Sequence, residues 1–219
     1  EGEGEGEGEG EGESPIFLDW AVGAGGAAND DALGTATGSR YVTGSLESDG
    51  TFGAGSPNQT YLPATGGYQA YLAKYDDNGD FLWVRSPASS YSDGGAAVVT
   101  AQGDVLWAGG FVGQAVFGAG EANETVLSAS GILGGFLAKY QSDGTLLWAR
   151  KVADCTDQAF FWSGTSLTAT PDGGLLLAAI FRGNMTLGPG EAGQRTFSAG
   201  DVYQDGVLLK LDGNGALVW

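Results

Sequence analysis

Histidine is absent from this 219-residue chain, and cysteine and methionine occur once each. Without His there is no Ser-His-Asp or Cys-His nucleophile and no His-dependent metal site. The single Cys155 excludes an intrachain disulfide and a thiolate zinc site; its expected role is a small buried apolar residue, the other reading being an intermolecular link. Basic residues are scarce, with 9 Lys and Arg against 27 Asp and Glu and a formal net charge of −18. Such a surface repels a phosphate backbone and an anionic membrane, so no nucleic-acid partner is expected. No apolar run approaches the roughly 20 residues of a membrane-spanning helix, and no signal peptide is recognisable, so no membrane insertion is expected. A secreted protein would therefore be a processed form or an excerpt. No amphipathic helical periodicity stands out either. Frequent glycine (41 residues) with many Ser and Thr is the bias of a β-rich chain with tight turns.

Residues 1–13 alternate Glu and Gly without a break. In an extended conformation every Glu would project to one face and every Gly to the other. A segment with no apolar surface and strong self-repulsion should be disordered in isolation. Three readings stay open: a strand added to a neighbour through its bare Gly face, a row of carboxylates that collects cations, or an artificial stand-in sequence. Seven of the 27 acids lie here, which leaves 20 against 9 bases in the remainder. The body is acidic in its own right.

From residue 14 onward the chain repeats. Residues 71–83 (YLAKYDDNGDFLW), 136–148 (FLAKYQSDGTLLW) and 207–219 (VLLKLDGNGALVW) share one pattern. A Lys (Lys74, Lys139, Lys210) stands nine positions before a Trp (Trp83, Trp148, Trp219), with Asn78-Gly79, Asp143-Gly144 or Asn214-Gly215 between them. Two apolar runs around such a dipeptide predict a β-hairpin whose tight turn takes positive φ at both residues. Trp20 in IFLDW begins the series, and successive Trp residues lie 63, 65 and 71 positions apart. A second hairpin precedes each of these, and a Phe-Gly-Ala-Gly element (Leu-Gly-Pro-Gly in the third copy) recurs in register before one short returning strand.

Two hairpins per period make at least four strands, the content of one propeller blade. The period exceeds the usual ~40–50 residues of a blade, and the excess is assigned to Gly-rich connectors. The expectation is an all-β, β-propeller-like array of about three four-stranded antiparallel blades, a partial or open propeller. Residues 1–13 form a tail and 14–219 the repeat domain, with repeats near 16–83, 84–148 and 149–219. The wording of the hairpins resembles the bacterial β-propeller repeats called SBBP repeats, through Tyr41-Val42-Thr43-Gly44, Phe136-Leu137-Ala138-Lys139-Tyr140 and Trp148. The third period departs from that pattern, with Leu177-Ala178-Ala179 and Leu208-Leu209-Lys210-Leu211. The resemblance implies a secreted or surface-exposed propeller and carries over no catalytic residue.

Three blades cannot close a ring, since closed propellers use about four to eight. Unpaired blade edges invite intermolecular pairing, so the leading expectation is a non-enzymatic extracellular structural or adhesive repeat protein that associates with itself. The alternative is a ligand-binding module recognising glycan or protein through its loop face. A carboxylate hydrolase using Asp154 and Asp157 ranks below both. For ligand contact the candidates are Trp162, Phe160 and Phe161, an aromatic cluster in an irregular connector outside the repeating Trp series. Asp76, Asp77, Asn78 and Asp80 resemble the start of a calcium loop, against a plain turn; calcium is the one cofactor expected as a candidate. Asn58, Asn123 and Asn184 begin glycosylation sequons that matter only in a host that modifies Asn. The Lys series is expected to pair with carboxylates or guard an edge, and the Trp series to pack between blades.

Overall fold

The computed structural model describes residues 27–36, 40–156, 165–200 and 204–219. Among them there are eighteen strands and no helix. The first unit contains β1 (Asp30–Ala36), β2 (Arg40–Leu46), β3 (Gly50–Phe52), β4 (Thr60–Leu62), β5 (Gln69–Tyr75), β6 (Phe81–Arg85) and β7 (Ala88–Ser89). The second contains β8 (Ser92–Val99), β9 (Val105–Phe111), β10 (Gln114–Phe117), β11 (Thr125–Ser128), β12 (Leu133–Tyr140) and β13 (Leu146–Cys155). The third contains β14 (Ser166–Ala169), β15 (Leu175–Phe181), β16 (Asn184–Leu187), β17 (Arg195–Ser198) and β18 (Asp205–Leu211).

Each unit is built on an antiparallel sheet. In unit 1 the order is β1-β2-β5-β6, and in unit 2 β8-β9-β12-β13 runs in the same sense within a six-stranded sheet. Unit 3 has β14-β15-β18, and the terminal residues complete it through a Leu211–Leu217 bridge and the bond from the Lys210 amide to the Trp219 carbonyl, 3.0 Å. No closed ring of sheets occurs among the described residues.

The long period has a different cause from the one expected. A third hairpin, β3–β4, β10–β11 or β16–β17, leaves each sheet between its second and third strands. The Phe-Gly-Ala-Gly element is its turn, with Gly53, Gly118 and Gly188 at φ 62°, 61° and 55°. The sequence marks only its second strand, because its first strand is short and follows closely on the sheet strand before it. This hairpin also stitches units together. β7 pairs with β10, and the end of β13 pairs with β16 through Ala153–Leu187 and Cys155–Met185. The outer strand of one unit thus ends on the accessory hairpin of the next.

The Asn-Gly and Asp-Gly turns also differ from expectation. Within each of these turns only the glycine, Gly79, Gly144 or Gly215, has positive φ, and no described residue other than glycine does. The Gly79 amide bonds the Asp76 carbonyl at 3.1 Å, and the Asp76 amide bonds the Asp80 carbonyl at 2.9 Å. This is a type I turn closed by a glycine bulge, and it recurs at 141–145 and 212–216. The residue before each glycine keeps an ordinary right-handed conformation because the bulge supplies the extra twist.

Two of the three hydrophobic clusters lie between units, and the third, with Leu46, Phe52, Tyr71, Tyr75 and Phe81, belongs to unit 1 alone. Tyr41, Leu72 and Trp83 of unit 1 share one cluster with Trp107, Phe111, Phe136, Tyr140 and Leu146 of unit 2. Leu106, Ala108 and Leu137 of unit 2, with Trp148 packed against them, share another with Leu177, Phe181, Leu209 and Leu211 of unit 3. Consequently β9 is buried at all seven positions, on both faces of its sheet. Its counterpart β15 alternates strictly between buried and half-buried residues. Cys155 is fully buried and unpaired in the second of these clusters, as its apolar reading required. Burial pushes its thiol up to about 12.

Candidate functional site

The repeating tryptophans form the seams. Trp83 is 8% exposed, and its Nε1 donates to the Ser142 carbonyl of unit 2 at 3.2 Å. Lys74 Nζ donates to the same carbonyl at 2.6 Å, and Arg85 Nε donates to the Gly144 carbonyl at 2.7 Å. A Cβ on Gly144 would lie 3.0 Å from the Trp83 ring, and one on Gly215 would lie 2.9 Å from the Trp148 ring. Each Trp therefore rests on the glycine turn of the following unit. Packing between units, rather than ligand stacking, occupies Trp83 and Trp148.

The Lys series divides. Lys139 pairs with Asp104 at 2.9 Å and Lys210 with Asp172, both across the sheet of their own unit. Lys74 instead crosses to unit 2 and lies over the Tyr41 ring, 5.3 Å from its centroid.

The acidic loop serves its own turn. Asp76 Oδ1 accepts the amides of Asn78 and Asp80 at 2.8 and 2.9 Å. Asp212 Oδ1 does the same for Asn214 and Ala216, at the equivalent position of unit 3. Asp77 is fully in solvent, with Arg40 at 3.5 Å. No group of three or more acids that could hold a metal ion occurs among the described residues.

The first two sequons are alike and the third differs. Asn58 Nδ2 donates to the Phe81 carbonyl at 3.3 Å, and Asn123 Nδ2 donates to the Leu146 carbonyl at 3.1 Å. Both side chains clamp the accessory hairpin to the strand that carries the Trp. In the same loop Glu121 accepts the Leu146 amide and Glu191 the Leu217 amide, each at 2.7 Å. The recurrence of Asn58 and Asn123 thus has a structural cause. Asn184 sits in β16, where its Oδ1 accepts the Ser198 hydroxyl at 2.6 Å. Trp162, Phe160 and Phe161, with Asp157 and the Glu-Gly tail, lie outside the described residues.

Two features escaped sequence reasoning. One is an open polar cleft of about 460 Å³ where β13 meets β16, lined in part by Ser130, Lys151, Asp154, Thr156, Thr186 and Gln194. At its base Lys151 pairs with Asp154 at 2.6 Å, and Asp154 Oδ1 accepts the Ser130 amide at 2.9 Å. These are hydrogen-bonding groups suited to hydroxyls and amides. Of the Asp154 and Asp157 pair the described residues include Asp154 alone, which is paired with Lys151.

The other is a polar end to the seam between units 1 and 2. Asp93 is 7% exposed, faces Ser45, and lies near the Asp31 carboxylate. Its burial, with the Asp31 charge, pushes its carboxyl up to about 6 against the opposing bonds from Ser45 and the Gly94 amide. Thr43 and Ser45 are fully buried; the Ser45 hydroxyl faces Asp93, and the Thr43 hydroxyl has no hydrogen-bond partner. A comparison of aligned positions would have found this, since unit 2 carries Ala108 and Gly110 where unit 1 carries Thr43 and Ser45.

No protein-family model matches the chain, and no curated protein shows significant sequence similarity to it.

Proposed function

We propose that this chain is a non-enzymatic structural repeat protein of the secreted or cell-surface kind, a partial β-propeller-like array whose units stack face to face and which associates with itself. The observation that carries this reading is the contrast between β9, buried on both faces, and β15, whose outward face is half open. Two successive seams repeat one packing rule, and the outward face of unit 3 presents the same rule to a further partner. Trp219, at the position of Trp83 and Trp148, is 47% exposed.

Light scattering on a concentration series, with and without calcium, tests the reading. A mass that rises with concentration supports it, and a monomer throughout sinks it. Growth only with calcium would bring the acidic tail and the 76–80 loop into the assembly.

A second reading rests on the cleft beside Lys151 and Asp154. Its hydroxyl and amide lining suits a polyhydroxylated ligand such as a glycan. Saturable glycan binding by the monomer, weakened in Thr186→Val, would favour this reading over assembly.

A further inference from the structure

The seam between units 1 and 2 ends in a set of oxygens that protein donors leave unused. Strand β8 crosses the sheet face of β1, β2 and β5. Its first residue is fixed there twice over, since the Ser92 amide donates to the Tyr68 carbonyl at 2.8 Å and the Ser92 hydroxyl accepts the Ala70 amide at 3.1 Å. The next side chain, Asp93, is thereby held facing Ser45 and near Asp31. Asp31 pairs with Ser45 across β1 and β2, so the two share one face of the sheet. Gly94 follows, and a Cβ there would lie 2.6 Å from both the Thr43 Oγ1 and the Gly44 carbonyl oxygen. Any side chain at that position would push β8 away, whereas glycine lets it close on the Thr43 hydroxyl.

These oxygens lack donors. Asp93 is 7% exposed, yet its Oδ1 has no hydrogen-bond partner, and the Thr43 hydroxyl, at 0%, has none either. Among the described residues no ion pair forms at Asp31 or Asp93. Two neighbouring carboxylates, one of them buried, are costly without a cation between them. Nor does the repeat require this set. At the aligned positions of the seam between units 2 and 3 stand Ala108 and Gly110, which have no side-chain oxygen.

We propose that this end of the seam is a calcium site, with the Asp93 and Asp31 carboxylates and the Ser45 and Thr43 hydroxyls as its protein ligands and water completing the shell. All four are hard oxygen donors without nitrogen or sulfur among them, a set that favours calcium over zinc or copper. Calcium also accepts irregular shells of about six to eight oxygens, whereas magnesium demands a near-ideal octahedron. The two carboxylates balance the charge of the divalent ion. Because Asp31, Thr43 and Ser45 belong to unit 1 and Asp93 to unit 2, the bound ion ties the units together. The site is separate from the 76–80 loop, whose Asp76 is spent on its own turn amides. It is also independent of self-association.

Isothermal titration calorimetry of calcium chloride into the full, chelator-washed chain tests the proposal, alongside thermal melts in calcium and in chelator. The expected result is one saturable site per chain and a melting midpoint that rises with calcium, as an ion bound by the folded state alone requires. Asp93→Asn should lose both the site and the calcium-dependent rise. It should still fold, since without the ion the charge it removes is unfavourable. Thr43→Val keeps the side-chain shape, removes one ligand and should weaken binding about tenfold or more. Asp77→Asn, in the solvent-exposed acidic loop, should bind as the parent does. The absence of a saturable site, binding that survives Asp93→Asn, or binding lost in Asp77→Asn overturns the proposal.

Discussion

The indole of Trp83 lies on the turn glycine of the next unit, Gly144, and a Cβ added to that glycine would sit 3.0 Å from the ring. The contact joins residues 61 positions apart and is reinforced by hydrogen bonds from Trp83, Lys74 and Arg85 to the Ser142 and Gly144 carbonyls. Trp83→Ala should cost about 3–5 kcal/mol, the range for emptying a large aromatic site. Equilibrium urea unfolding followed by circular dichroism measures it, and a loss below about 1 kcal/mol would show that the seam is not where stability resides.

Gly144→Ala attacks the same seam from the other side. Gly144 has φ 87°, and the new methyl would also lie 2.9 Å from Arg85 Nη2. A non-glycine residue held in this region costs about 1–3 kcal/mol. Gly103→Ala, at φ 86° but with nothing within 4 Å of its Cβ position, is the control that isolates backbone strain. The two variants should differ in unfolding midpoint, with Gly144→Ala the less stable.

Asp93 makes stability depend on pH in an unusual direction. Its folded carboxyl is raised from 3.8 to about 6, so the folded state holds the proton more tightly than the unfolded chain does. Stability from this group therefore rises as pH falls from about 6 towards 3.8, and above about 6 the full penalty of burying the charge is present. The neighbours acting on it are Asp31 on β1, Ser45 on β2 and the Gly94 amide, while Tyr68 and Tyr91 feel its charge; no Lys or Arg is among them. Asp93→Asn should flatten this dependence and stabilise the protein at pH 7 by up to about 3 kcal/mol, the worth of a shift of this size. Parallel thermal melts of parent and variant from pH 4 to pH 8 measure the difference. A variant that melts lower than the parent at pH 7 would show that the ionised carboxylate is compensated.

Asn123→Ala removes the clamp on the Leu146 carbonyl and should cost about 1 kcal/mol or slightly more, because a part-buried acceptor is left unpaired. Asn184→Ala loses only an exposed contact with Ser198 and should stay within about 0.5 kcal/mol of the parent. Chemical denaturation of the pair checks the contrast, and equal losses would refute the structural account of the recurring Asn.

Cys155 should ignore thiol reagents in the native state. Its side chain is fully buried and its thiol is pushed up to about 12 by burial and the Asp154 charge, so almost no thiolate is present at neutral pH. Colorimetric thiol titration should find no reactive group until denaturant unfolds the chain; rapid native labelling would mean that the seam between units 2 and 3 opens readily.

The sequence alone determined what is local or compositional. The missing His removed whole classes of chemistry before any coordinate was needed. The hairpins were legible because Lys74 to Trp83 and its two copies place turn formers between alternating apolar residues, information held within thirteen residues. The accessory hairpin was half legible, since its second strand stands apart while its first runs straight out of β2, β9 or β15.

Tertiary structure decided the rest. Nothing in the local pattern of β15 distinguishes it from β9, yet one is buried on one face and the other on both, because burial depends on which sheet lies alongside. The roles of Asn123, Asp154 and Asp93 likewise depend on partners at Leu146, Lys151 and Ser45, supplied by strand register and by the stacking of units. A side chain's own chemistry limits what it can do. Which neighbour it meets across a seam is a property of the folded stack.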